Sequence, residues 1–173
     1  MYSLKKSLAA LVGISLLVLA SAALLPRVGQ GQAGDRNPLQ RDTRRAFYLT
    51  RTEHLGSQAL AACAAGYHMA SLWEIHDPSN LRYNGQLGHT TGDAGSGPPT
   101  SYFGWERTGF DASLGGQSPG AANCGGWTSA SGTVLGTVVG LQWLWDADGK
   151  AISPWGALPT ACDAESRVWC AQD

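Results

Sequence analysis

Apolar residues fall into three regimes along the chain. The first is a nearly continuous run from Leu8 to Leu25, interrupted by Gly13, Ser15 and Ser21 and preceded by Lys5 and Lys6. A positive start, an apolar core and the small residues Ala20, Ser21 and Ala22 predict a secretory signal peptide over residues 1–25, with cleavage near 22–33. Left uncleaved, a run of this length would just span a bilayer, and membrane contact is expected only in that case. The second regime, residues 26–45, has no apolar period and is rich in Gly, Gln, Arg and Pro, which predicts a flexible linker. The third, residues 46–173, breaks into short apolar segments and is read as one domain.

Within that domain the periods predict a mixture of elements. "RAFYLT", residues 45–50, has the aromatic and β-branched content of an opening strand. "GSQALAACAAG", residues 56–66, predicts a helix capped by Ser57, with Leu60 and Cys63 on one face and Gly66 ending it in a left-handed conformation. "YHMA" is a short extended piece. Ser71 and Glu74 then have the spacing of a capping box, so a second helix or turn begins there, and Pro78 opens another turn. Residues 84–123 are long Gly/Ser/Pro-rich loops around a short strand at "GWERTG". Loops of that length in a compact domain are usually functional or poorly ordered. The last fifty or so residues read as strand: "GGWTSASG", "TVLGTVVGLQWLW", a hairpin turning at Asp148-Gly149, and a terminal "SRVWCAQD".

Charge changes this picture by separating the two ends. Residues 1–45 hold seven of the twelve Lys and Arg, whereas residues 46–173 carry five basic and eleven acidic groups, a formal charge of −6. The domain has no basic footprint for nucleic acid. All four cysteines, Cys63, Cys124, Cys162 and Cys170, lie in it. An even count in an exported chain predicts two disulfides, and spacings of 61, 38 and 8 match no common zinc pattern.

The stretch "AACAAGYHMASLWE" resembles the early part of C-type lectin-like domains, where a cysteine-bearing helix is followed by glycine, a small extended segment and a second helix with glutamate. "CDAESRVWC" resembles that fold's closing cysteine pair, and "CGGWTSASGTVLG" resembles its endostatin-like branch. The resemblance spans roughly residues 45–173. It implies an α+β fold with two helices, a twisted, mostly antiparallel sheet, long loops, and nested disulfides Cys63–Cys170 and Cys124–Cys162. The nested pairing also has a physical argument, since Cys63–Cys170 ties the first helix to the final strand; a Cys162–Cys170 pair would close only a small hairpin. The Glu-Pro-Asn, Gln-Pro-Asp and Trp-Asn-Asp triplets of sugar-binding members are absent, which speaks against calcium-dependent sugar binding at that site. Fold by itself does not carry function.

Candidate chemistry is sparse. Oxygen ligands for calcium could come from Glu74, Asp77 and Asn80, or from Asp146 and Asp148; helix capping and a solvated hairpin are the plainer roles. No other cofactor is expected. His54, His68, His76 and His89 show no metal-ligand spacing; His68 is placed on the sheet, His54 and His89 at the surface. No G-x-S-x-G occurs, and no catalytic residue is assigned. Among the aromatics, Trp73, Trp127 and Trp169 are assigned to the core. Tyr102, Phe103, Trp105, Trp143, Trp145 and Trp155 are candidate ligand-binding anchors. The expectation is a secreted or periplasmic, non-catalytic binding module that meets an extracellular protein or glycan through loops at about 84–123 and 141–157. A self-associating cell-surface or matrix component is the alternative, and a secreted enzyme the third.

Overall fold

The computed structural model describes residues 43–142 and 154–173, which belong to a compact unit running from Asp42 to Asp173. The predicted signal peptide, nearly all of the predicted linker, the predicted Asp148-Gly149 turn, Trp143, Trp145, Asp146 and Asp148 lie outside the described residues. Seven strands make one sheet: β1 (Arg45–Leu49), β2 (Tyr67–Met69), β3 (Leu81–Tyr83), β4 (Phe103–Trp105), β5 (Leu135–Leu141), β6 (Trp155–Ala161) and β7 (Arg167–Gln172). Their order is β3-β1-β7-β4-β5-β6, with β2 also paired to β7. The β1–β3 and β4–β7 pairs are parallel and the other four antiparallel, so the fold is mixed α+β with a mostly antiparallel sheet.

β7 sits at the centre because its sequence suits burial on both faces: Val168, Trp169, Cys170 and Ala171 are completely buried. β1 covers one of its edges, while β2 and β4 share the other in succession. Trp169 stacks on Phe47 and meets Trp155 edge-on, and its indole N–H donates to the Val139 carbonyl at 2.8 Å. β6 is an outer strand, and there Pro159, which has no N–H to give a ladder, is tolerated.

Both disulfides are present, Cys63–Cys170 and Cys124–Cys162, with Cα atoms 5.8 and 5.7 Å apart. The first closes a sequence separation of 107 residues, worth about 4–5 kcal/mol on chain entropy alone.

The helices are shorter than the sequence predicts. Residues 56–66 give only a 3-10 segment, Gly56–Ala61, and Ser57 does not cap it; the Gln58 side chain accepts from the Leu55 N–H instead. Its inward residues are the small ones, Gly56 and Ala59, because the backbone runs close against the Cys124–Cys162 bridge and the Gly56 N–H donates to the Cys162 carbonyl. Leu60 is therefore half exposed and does not share a buried face with Cys63. Gly66 does adopt positive φ, 79°. The second helix, Leu72–Ile75, is a single turn closed by the expected capping box, in which Glu74 Oε2 accepts from both the N–H and the hydroxyl of Ser71 at 2.9 Å. Ile75 faces the core, so Trp73, two positions away on a helix, points to solvent and is 83% exposed. Its assignment to the core is thereby corrected. Pro78 opens a short turn, as its position predicts. Among the described residues no helix is long and apolar enough to cross a membrane.

"GGWTSASG" is not a strand. Cys124, Gly125, Gly126 and Trp127 all have positive φ, 50°, 61°, 70° and 65°, and make one left-handed turn. The Asn123 side chain caps it at the Gly126 N–H, and the Cys124 disulfide and the buried Trp127 ring hold it from either end. A left-handed conformation costs a non-glycine residue about 1–2 kcal/mol. Gly125→Ala, whose new Cβ meets nothing closer than 3.7 Å, is expected to lower unfolding stability by about 1 kcal/mol through backbone strain alone. Denaturant unfolding of the disulfide-intact chain checks this; an unchanged midpoint would show that the turn is not under strain.

Candidate functional site

Strand alternation builds the site. In β4, Trp105 and its register partner Val138 face one side of the sheet. There Trp105 is fully buried against the Cys124–Cys162 bridge and Trp127, and its indole N–H donates to the His54 carbonyl at 2.7 Å. Trp105 is thus a core residue and not a surface anchor. The next residue, Glu106, must face the other side. So do Thr137 and Val139 of β5 and, across the ladder, Ala157 and Trp155 of β6. These five residues form the floor and one wall of a cavity of about 300 Å³. Leu72 and His76 of the helix, four apart on one helical face, close a second side, and Thr108, Pro119 and Gly120 a third. The Pro119–Gly120 loop is anchored from below: Thr137 Oγ1 accepts from the Gly120 N–H at 2.9 Å and donates to the Ala122 carbonyl at 2.7 Å.

The cavity is mostly carbon apart from one group. Glu106 is 1% exposed, and its Oε1 has no hydrogen-bond partner. Burial, reinforced by the nearby negative charge of Glu74, pushes its carboxyl up to about 8. At neutral pH it holds a proton. A buried acid without a partner is costly, and strongly perturbed acids in clefts mark functional sites more often than chance.

The predicted site residues divide. Trp155, nearly buried and edge-on to Trp169, lines the cavity. Tyr102 is half-buried between the His89 ring, 4.4 Å away, and the Arg167 guanidinium, 5.3 Å from its centroid. Tyr102 does not line the cavity over Glu106, and His89 is part of its cluster rather than a free surface group. Phe103 is half-buried over Gly140. Trp143 and Trp145 are outside the described residues. The sequence pattern raises His76 only as one of four histidines without metal-ligand spacing, and it marks neither Leu72 nor Glu106 as a ligand group. Glu106 carries a weak signal there, a lone acid directly after a core tryptophan in a short strand.

The calcium candidates do not converge. Glu74 Oε1 is held by Arg45 Nη2 at 3.1 Å and His68 Nε2 at 2.9 Å, while Oε2 caps Ser71. Partial burial raises the Glu74 carboxyl, but the Ser71 N–H, His68, the Ser71 hydroxyl and Arg45 together pull it down to about 2. His68 also meets Asp173 at 2.6 Å, and that contact is the main reason its imidazole is raised. Asp77 caps the Ser79 N–H, and Asn80 is exposed on the same turn. Asp146 and Asp148 are outside the described residues. Among the described residues no group of three His, Cys, Asp or Glu could hold a metal ion.

Two outcomes are expected. Millimolar calcium, against an EDTA control, should leave the thermal midpoint of the chain within a degree or so; a clear rise that disappears in Glu74→Gln would mean that Glu74 gives up Arg45 and His68 for a cation, and one that persists would point to Asp146 and Asp148. Glu106 gives a pH signature. Its carboxyl binds a proton more tightly in the folded chain, so its burial penalty is absent below about pH 4.5 and grows until about pH 8, at up to roughly 1.4 kcal/mol per unit. Glu106→Gln should therefore match the parent chain at pH 4.5 and exceed it by at least about 1 kcal/mol at pH 8 in denaturant unfolding. Identical pH profiles would place Glu106 in contact with water.

No family model, no curated protein and no solved structure matches this chain.

Proposed function

We propose that residues 46–173 form a secreted, non-catalytic binding module of C-type lectin-like, endostatin-like type, and that its ligand enters the cavity over Glu106. The observation that carries this reading is the unpartnered Glu106 carboxyl in an otherwise apolar cavity. Ligand pockets commonly combine an apolar lining with a few placed polar groups. Trp73, next to Leu72 in the same helical turn and exposed, offers an aromatic face suited to a larger extracellular partner. The lectin-like part of the reading is supported by the nested disulfides and by the pairing of the first strand with the last. Two disulfides are compatible with an extracellular location.

Glu106 and His76 on one cavity are where an enzyme reading would begin. Among the described residues, no serine or cysteine lines that cavity, and its threonines are engaged, Thr137 by Gly120 and Ala122 and Thr108 by the Phe110 N–H, so an enzyme reading would rest on Glu106 or a water as nucleophile.

A saturation-transfer NMR screen of the full secreted chain with small fragments and monosaccharides tests the binding reading. Hits are expected for the parent chain and should vanish in Ala157→Trp, which plugs the mouth with a bulky side chain. Hits that survive that substitution, or none at all, would overturn the assignment of the site.

A further inference from the structure

Granting that the cavity is the ligand site, its chemistry narrows the ligand further. We propose that the ligand is an organic cation: a primary ammonium carried on a small apolar body. Glu106 is the one strongly polar group on the cavity floor, and its Oε1 is unpartnered and sealed from solvent. The neighbouring hydroxyl of Thr137 is already used in both directions, by Gly120 and Ala122. No lysine or arginine lines the cavity among the described residues. Arg107, next in the chain, alternates to the opposite side and lines a separate hollow with Leu60 and Trp127. The charge that acts on Glu106 is that of Glu74, which is negative and already engaged. Among the described residues the cavity therefore has no lysine or arginine to pair with Glu106, and its one basic side chain, His76, is exposed.

The remaining walls suit the rest of such a ligand. Leu72, Val139, Pro119 and Ala157 are apolar, and Trp155 presents an aromatic ring, to which a desolvated ammonium is attracted. A volume near 300 Å³ is at the low end of ligand pockets. It fits one ring or a short aliphatic chain rather than a polymer. A ligand offering only a carbonyl would instead accept from the protonated carboxyl, and that is the competing chemistry.

Binding an ammonium requires Glu106 to release its proton. The titratable groups facing it are Glu74 and His76 of the helix; the residues of β5 and β6 that line the cavity are not titratable. Glu74 stays ionised throughout the neutral range.

The experiment uses the full chain with benzylamine and its uncharged isostere benzyl alcohol, read by tryptophan fluorescence and calorimetry. At pH 8.5 benzylamine should bind at least about tenfold more tightly than benzyl alcohol, the scale of one hydrogen bond to a charged group. Its affinity should climb by up to about tenfold per pH unit between pH 6 and 8, and Glu106→Gln should erase both the preference and the slope. Equal affinity for the two probes, a preference that persists in Glu106→Gln, or tighter alcohol binding at low pH overturns the cation assignment while leaving the cavity as a site. Failure of either probe to bind at millimolar concentration overturns the site itself, and the proposal with it. If Glu106→Gln does not fold, the pH slope of the parent chain decides.

Discussion

Everything in this domain is hung on β7. Its four central residues are sealed from solvent, it is paired on both edges, and Cys170 ties it to the start of the fold through Cys63. β7 follows in sequence every strand it pairs with, so β1, β2 and β4 have no common partner until it joins them. Contacts of such high sequence separation are slow to form, and loop-closure entropy opposes them until they are complete. The Cys63–Cys170 bridge removes much of that entropy from the unfolded chain. It sits where the topology is entropically most expensive.

The second disulfide does different work. Cys124–Cys162 fills the space under Trp105 and holds the left-handed turn at residues 124–127. Trp105, Trp127 and the two sulfurs together fill the apolar volume beneath β4. Alternation then sends Glu106 to the opposite face. The cavity is in this sense a by-product of packing on the other side of the sheet. Trp105 must point toward the disulfide, so its neighbour must point into the space between β5, β6 and the helix.

Much of this arrangement was legible in the chain. β1, β2, β5 and β7 follow from period and composition, and the Ser71–Glu74 box and the Pro78 turn from spacing. What escaped depends on partners distant in sequence. The alanine-rich stretch at 59–65 has helix propensity, but tight contact with the Cys124–Cys162 bridge selects a short 3-10 segment. Trp73 reads as core because it sits inside the Ser71–Glu74 capping signal; only the inward direction of Ile75 on a one-turn helix shows otherwise. The same holds for the site. Trp105 and Trp155 were both plausible anchors, and only the register of β4, β5 and β6 separates the buried one from the one that lines a cavity. Glu106 could not be recognised without knowing that both faces of β4 are covered.

That last fact gives Glu106 its meaning. A carboxyl on an exposed sheet face needs no explanation. One in a covered face, with no basic partner, lowers stability at neutral pH, and a leucine or methionine of similar volume would remove the penalty. Specificity of packing does not account for it, because Oε1 makes no hydrogen bond that would select one arrangement over another. Nor does it anchor the loop above, which Thr137 already holds from both directions. A group that costs stability and organises nothing in the folded chain is best understood through something that arrives later. The ligand that offsets the cost is the one that brings the missing positive charge.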